Sequence, residues 1–217
     1  MSKNIPRRFG LYALVFAIQS LYLPLNHGLR EGVIWDTRWD TLIPLWAVWI
    51  VPYSMAWPVW LASYAWAALW MEEKLYRALM VASVVAVVTA IAAFTLYPTY
   101  IIRPALVGSD WATEWMRWLY NTDGVFNAFP SGHVYFTTIL TLFWSRWLPR
   151  GRWLWGAFWL VVCLSTLFTK QHYIPDLFGG AGLAWVGYRV GLWWVSYGSA
   201  DAREGSIGVQ SGGYVNT

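Results

Sequence analysis

The sequence predicts an all-α, polytopic membrane protein: six transmembrane helices, with a short interfacial helix between the third and fourth. Three observations predict it. Only 12% of the 217 residues are charged, about half the share usual in soluble domains. Apolar residues make up 58% of the chain and aromatic residues 19%, with 19 Trp among them. That is more apolar surface than so few charges can cover in a soluble fold. Finally, the charges are separated by long charge-free runs, and about 20 apolar residues suffice to carry a helix across a bilayer.

The same counts exclude other classes. A net charge of +4, dispersed and without a basic stripe, does not suit a nucleic-acid binder. Cys163, the single cysteine, excludes an intrachain disulfide and a cysteine zinc cluster. It lies in an apolar run and reads as a small buried hydrophobe.

The first span is predicted from Phe9 to Leu29, behind Lys3, Arg7 and Arg8. It resembles a signal sequence but lacks a small-residue cleavage site, so it is expected to stay as an anchor. The second lies between Asp40 and Glu72 and is interrupted by Pro44, Pro52 and Pro58, which kink or stagger a helix. Ala78 to about Tyr97, rich in Val and Ala, forms the third. The fourth begins near Ser131 and ends before Arg146, and the fifth covers Trp153 to about Phe168. The sixth starts at Pro175, a favourable first-turn residue, and ends near Tyr197. Within it, Gly187 and Gly191 form a GxxxG pair suited to close packing in the bundle. Residues 1–197 are thus expected to form one six-helix catalytic domain. The Gly/Ser-rich segment 198–217 is expected to be a disordered cytoplasmic tail.

Basic residues set the orientation. With the N-terminus in the cytoplasm, that side holds Lys3, Arg7, Arg8, Lys74, Arg77, Arg146, Arg150, Arg152, Arg189 and Arg203. The other side holds Arg30, Arg38, Arg103, Arg117 and Lys170. The imbalance predicts cytoplasmic N- and C-termini. Between the third and fourth spans, Asp110 can cap a helix through Tyr120, with Trp111, Trp115 and Trp118 on one face. Such a stripe predicts a helix lying in the membrane interface. His27, in the first outer loop, reads as a solvated residue.

The other two histidines both fall at the outer ends of predicted spans. Pro130-Ser131-Gly132-His133 opens the fourth helix, and Lys170-Gln171-His172-Tyr173-Ile174-Pro175-Asp176 leads into the sixth. Arg103-Pro104 follows the third. Each of these residues has a task if the ligand is a phosphoryl group. An imidazole oriented by a carboxylate is a competent nucleophile, and Asp176 is four residues from His172. His133 can serve as acid and base. Arg103 and Lys170 can hold phosphate oxygens, as can backbone amides around Ser131 and Gly132 at a helix start. Other readings of these residues are structural histidines at an interface, or a metal site built from His133, His172 and Asp176.

At these residues the chain resembles the type-2 phosphatidic acid phosphatase superfamily, whose motifs are K-x6-R-P, P-S-G-H and S-R-x5-H-x3-D. Arg103-Pro104 matches the end of the first, residues 130–133 match the second completely, and Ser165, His172 and Asp176 match the third. The resemblance covers roughly residues 40–190. It implies a six-helix membrane bundle with an extracytoplasmic active site and no cofactor or metal. By the same resemblance His172 is the nucleophile forming a phosphohistidine, Asp176 its orienting group and His133 the acid/base. Two motif cations are missing, since Leu96 and Thr166 occupy their places. A phosphate monoester carries about −1.5 to −2 at neutral pH, whereas a phosphodiester carries one charge and needs fewer cationic partners. Tyr97-Pro98-Thr99, Asn127-Ala128-Phe129 and His172-Tyr173 resemble the inositol-phosphorylceramide-synthase-like branch.

The expected function is an integral membrane phosphatase hydrolysing a lipid phosphate ester at the extracytoplasmic face. One alternative is a phosphotransferase moving a phosphoalcohol headgroup between lipids. The other is a non-catalytic carrier of anionic lipid.

Overall fold

A computed structural model describes residues 4–28 and 31–210. Expectations that involve Lys3, Leu29, Arg30 and residues 211–217 lie outside the described residues. The described chain is all-α: α1 (Ile5–Ser20), α2 (Tyr22–Asn26), α3 (Ile50–Trp70), α4 (Glu73–Leu96), α5 (Trp111–Thr122), α6 (Gly132–Trp147), α7 (Arg152–Phe168) and α8 (Ile174–Gln210). Among the described residues, three stretches are long and apolar enough to cross a membrane: Ile5–Asn26, Glu73–Leu96 and Pro149–Phe168.

The structure revises several predicted boundaries. The first span is two helices, α1 and α2, with Leu21 between them. The second is shorter than predicted, because helix begins only at Ile50 after a 3₁₀ turn at Ala47–Trp49. Proline explains the difference. Pro44 precedes the helix, Pro52 sits in its first turn where no N–H is needed, and only Pro58 lies inside it. Residues before Ile50 form a loop anchored by the Trp46 N–H, which donates to the Phe168 carbonyl at 3.0 Å. The last helix runs to Gln210, past its predicted end near Tyr197.

The core is helix against helix, and its centre is α4. Small residues face α8 from α4. A Cβ at Gly187 would lie 2.7 Å from the Ala82 carbonyl oxygen, and one at Gly191 would collide with that of Ala78. The GxxxG pair therefore serves packing within the bundle, as predicted. Arg8 is buried at the end of the bundle where α3 passes to α4. Its Nη2 donates to the carbonyls of Met71 at 2.7 Å and Ala67 at 3.2 Å, and its guanidinium lies 4.0 Å over the Tyr76 ring. Counted in the sequence as one of the charges that set orientation, Arg8 also ties α1 to α3 and α4.

The opposite end is built from the C-terminal ends of α2, α4 and α7 and the N-terminal ends of α3, α6 and α8. Tyr22 meets Phe94 there, Trp49 meets Phe168, and Trp60 meets His133. α5 covers this end. Asp110 caps it as predicted, accepting from the Ala112 and Thr113 amides at 3.1 Å each. The cap bonds, the Thr113 hydroxyl foremost, hold the Asp110 carboxyl below the usual range. Ala112 and Met116 pack on Ile50 and Tyr53, while Trp111 and Trp118 are exposed. His27 is exposed but not merely solvated, since its ring nitrogens contact the carbonyls of Leu23 and Thr122.

Candidate active site

Three segments converge beneath α5. Ser131 caps α6 and is fully buried; its hydroxyl accepts from the Val134 amide at 3.4 Å. This places Gly132 and His133 in the first turn. α8 approaches the same turn because residue 180 is glycine: a Cβ there would stand 2.7 Å from the Ser131 carbonyl oxygen. The Ser131 N–H donates to the Asp176 carbonyl at 3.1 Å, joining the starts of α6 and α8 directly.

The segment before α8 is held by α7. Amides of Gln171 and His172 donate to the Thr166 carbonyl at 3.0 and 3.2 Å, and Thr169 N–H donates to Ser165. His172 then presents Nδ1 to Asp176 Oδ2 at 3.3 Å. The same carboxylate oxygen accepts from the Tyr173 amide at 2.9 Å, which fixes it. Asp176 is 1% exposed, and its Oδ1 has no hydrogen-bond partner. With Nδ1–H turned to the carboxylate, His172 keeps Nε2 as its free nitrogen.

His133 stands across from it, the two ring centroids 6.4 Å apart. Tyr53 stacks on the His133 ring at 4.0 Å and Trp60 meets it at 5.1 Å. Its Nε2 is buried without a partner. Both imidazoles line a cavity of about 460 Å³. Phe16, Trp57, Trp60, Phe94, Trp118 and Phe136 form apolar walls, while Gly132, Asp123 and Asn127 add polar groups. The size and mixed lining suit a small polar headgroup with adjoining apolar chain.

The structure brings Ser131, Gly132, His133, His172 and Asp176 together. The two candidate cations are engaged elsewhere. Arg103 donates through Nη1 to the carbonyls of Tyr120 (3.0 Å) and Asp123 (2.7 Å), and through Nη2 to Gly124 O (2.8 Å) and Gln171 Oε1 (2.7 Å). Lys170 Nζ donates to the Asp40 carbonyl at 2.9 Å. Partial burial lowers the Lys170 pKa, with the Asp40 charge opposing. Neither residue lines the cavity. At the positions of the missing motif cations, Leu96 is 82% exposed, while Thr166 is buried and donates to the Cys163 carbonyl.

Sequence reasoning missed Asp123, Tyr53 and Gln171. Asp123 Oδ1 accepts from Tyr22 Oη and Asn26 Nδ2, each at 2.9 Å, and Oδ2 is 3.8 Å from Arg103. Burial raises its carboxyl pKa, with Tyr22 and Arg103 opposing. Nothing near Asp123 in the chain signals a site, because its partners are 20 to 101 residues away. For Tyr53 the signal is a contact between helices, invisible in linear spacing.

With this geometry in hand, similarity to known proteins is specific. The chain belongs to the PAP2 superfamily, whose family model matches residues 40–190. This is the type-2 phosphatidic acid phosphatase group that its motifs resemble. A 64-residue stretch is 39% identical to the inositol phosphorylceramide synthase catalytic subunit aur1 of Schizosaccharomyces pombe. That stretch is 30% of this chain and 15% of the relative, so the chain spans only a small part of the relative's length. No solved structure matches.

Proposed function

We propose that the protein is a membrane lipid phosphatase that works through a phosphohistidine on His172. The observation that carries this is the bond from His172 Nδ1 to Asp176 Oδ2 with His133 facing it across one cavity. His172 Nε2 attacks phosphorus, and an N–P bond forms as the P–O bond to the leaving alcohol breaks. Asp176 stabilises the imidazolium. His133 delivers its proton to the departing oxygen, then takes one from water. The resulting hydroxide displaces Nε2, and phosphate leaves. Membership of the PAP2 superfamily supports this chemistry. Six spans (α1 with α2, then α3, α4, α6, α7 and α8) with cytoplasmic termini put the cavity at the extracytoplasmic face.

Two observations favour headgroup transfer as a second reading. One is the stretch similar to a protein named as an inositol phosphorylceramide synthase subunit. The other is a cavity without lysine or arginine among its lining residues, which suits a singly charged phosphodiester. In that case an alcohol replaces water in the second step.

Purified protein given lipid phosphate monoesters and phosphodiesters, with and without inositol, separates the two by free phosphate against new lipid. Both readings require a trappable covalent phosphate on His172, which a carrier of anionic lipid would not form. Asp176→Asn should lower turnover by up to about 10⁴-fold, the loss seen when the histidine-orienting carboxylate of a Ser-His-Asp triad is made an amide. Full activity in both His172→Ala and His133→Ala would discard the mechanism.

A further inference from the structure

The cavity holds a buried, unpartnered carboxamide that this chemistry leaves without a task. Asn127 lines it and is 3% exposed, and both carboxamide atoms, Nδ2 and Oδ1, are buried without a hydrogen-bond partner. Its backbone is fully explained. The N–H donates to the Thr99 carbonyl at 2.8 Å, and φ is +64°, the left-handed region that favours asparagine and glycine. The turn therefore accounts for Asn or Gly at 127. It does not account for the carboxamide, because burying an unpaired amide is unfavourable and glycine would make the turn without one.

Its surroundings suggest what completes it. Gly132, His133 and His172 line the same cavity. Neither Arg103 nor Lys170 lines it: Arg103 is committed to the Tyr120, Asp123 and Gly124 carbonyls and to Gln171, and Lys170 to the Asp40 carbonyl. The remaining charged lining residue is the carboxylate of Asp123. A phosphoryl group between the two imidazoles thus meets no lysine or arginine among the lining residues, and of the lining side chains with buried, unpartnered polar atoms, Asn127 is the one that offers both a donor and an acceptor.

We infer that Asn127 is a substrate-binding residue that holds the phosphoryl group between His133 and His172. Its Nδ2–H donates to a non-bridging phosphoryl oxygen, and Oδ1 takes the O–H of an adjacent water or alcohol. A neutral dipole does here what the cations absent at positions 96 and 166 cannot. The inference rests on the phosphohistidine reading above.

Orthovanadate, an inorganic mimic of the transferring phosphoryl group, provides a test independent of the lipid. Its binding to the full chain can be followed by quenching of the cavity tryptophans, with thermal unfolding as the check on folding. Asn127→Gly keeps the backbone conformation and deletes the amide. It should unfold like the wild type and bind vanadate at least about tenfold more weakly, the loss of a hydrogen bond to a charged group. Asn127→Asp keeps the size but is acceptor-only when ionised. Its affinity relative to wild type should be lowest at neutral pH and recover as acid restores a donor.

Equal binding by wild type and Asn127→Gly, while His172→Ala binds poorly, overturns this inference and leaves the phosphohistidine reading intact. Equal binding by wild type and His172→Ala overturns both. Should Asn127→Gly unfold early, the Asn127→Asp ratio decides: a ratio that does not change with pH overturns the inference.

Discussion

Arg103 Nη2 donates to Gln171 Oε1 at 2.7 Å, binding the loop after α4 to the residue next to His172. With its three carbonyl acceptors at Tyr120, Asp123 and Gly124, the guanidinium joins three segments that are far apart in sequence.

Arg103 is therefore predicted to act on stability first and on turnover through it. Arg103→Ala should cost about 3–5 kcal/mol, the usual consequence of breaking a buried charged network. Arg103→Lys should recover only part of this, since a point ammonium cannot span a planar fork of acceptors. Denaturant unfolding in detergent measures both. A raised KM with unchanged stability would instead make Arg103 a free phosphate ligand.

Asp123 is predicted to give a pH-dependent penalty. Its folded pKa is raised by burial, so the unfolded chain ionises first as pH rises, and neutral pH weakens the fold relative to acid. Asp123→Asn lacks that titration. The stability of the variant minus that of wild type should be most positive at neutral pH. It should shrink as pH falls through the folded pKa toward the unfolded one. Paired melting curves across that range test the sign.

The α4–α8 contact predicts a contrast between two glycines of one helix. Gly187→Ala forces a methyl against the Ala82 carbonyl, a backbone atom that cannot swing aside. It should destabilise by about 1–3 kcal/mol, in the range of overpacked cores. Gly182→Ala meets nothing within 4 Å and should be neutral or stabilising through helix propensity. Equal melting temperatures for the two variants would contradict this packing.

Topology can be read with one cysteine. Ser109 is exposed in the loop before α5, whereas Cys163 is buried. Ser109→Cys in intact cells should react with a membrane-impermeant maleimide, and the wild type should stay unlabelled. A reporter fused at the C-terminus should be cytoplasmic. Reversal of both results would place the histidines on the cytoplasmic side.

The parts legible in the sequence are those encoded locally. Asp110 before an amphipathic run marks the start of α5, and Gly187 and Gly191 mark the α8 face that meets α4. His172 and Asp176 are four apart and meet as spaced. What sequence could not show arises between segments. Arg103 is correctly placed beside the site, yet its charge is absorbed by carbonyls whose positions only the folded loop defines. The same limit hid Asp123 and Tyr53. The second span was overestimated because residues 41–49 are as free of charge as a helix, while proline makes their backbone loop. In the 127 turn, the positive φ explains the residue type and masks the unpaired amide.

The cavity's lining has one further consequence, for how substrate arrives. Asp123 supplies its formal charge, and no lysine or arginine is among its lining residues. Long-range attraction, the kind that dissolved electrolyte screens over about 8–10 Å, has little to act on here. Capture in this site is then governed by lateral diffusion of lipid along the bilayer and by fit against the indole walls. Its dependence should follow the mole fraction of substrate in the membrane, with ionic strength nearly irrelevant.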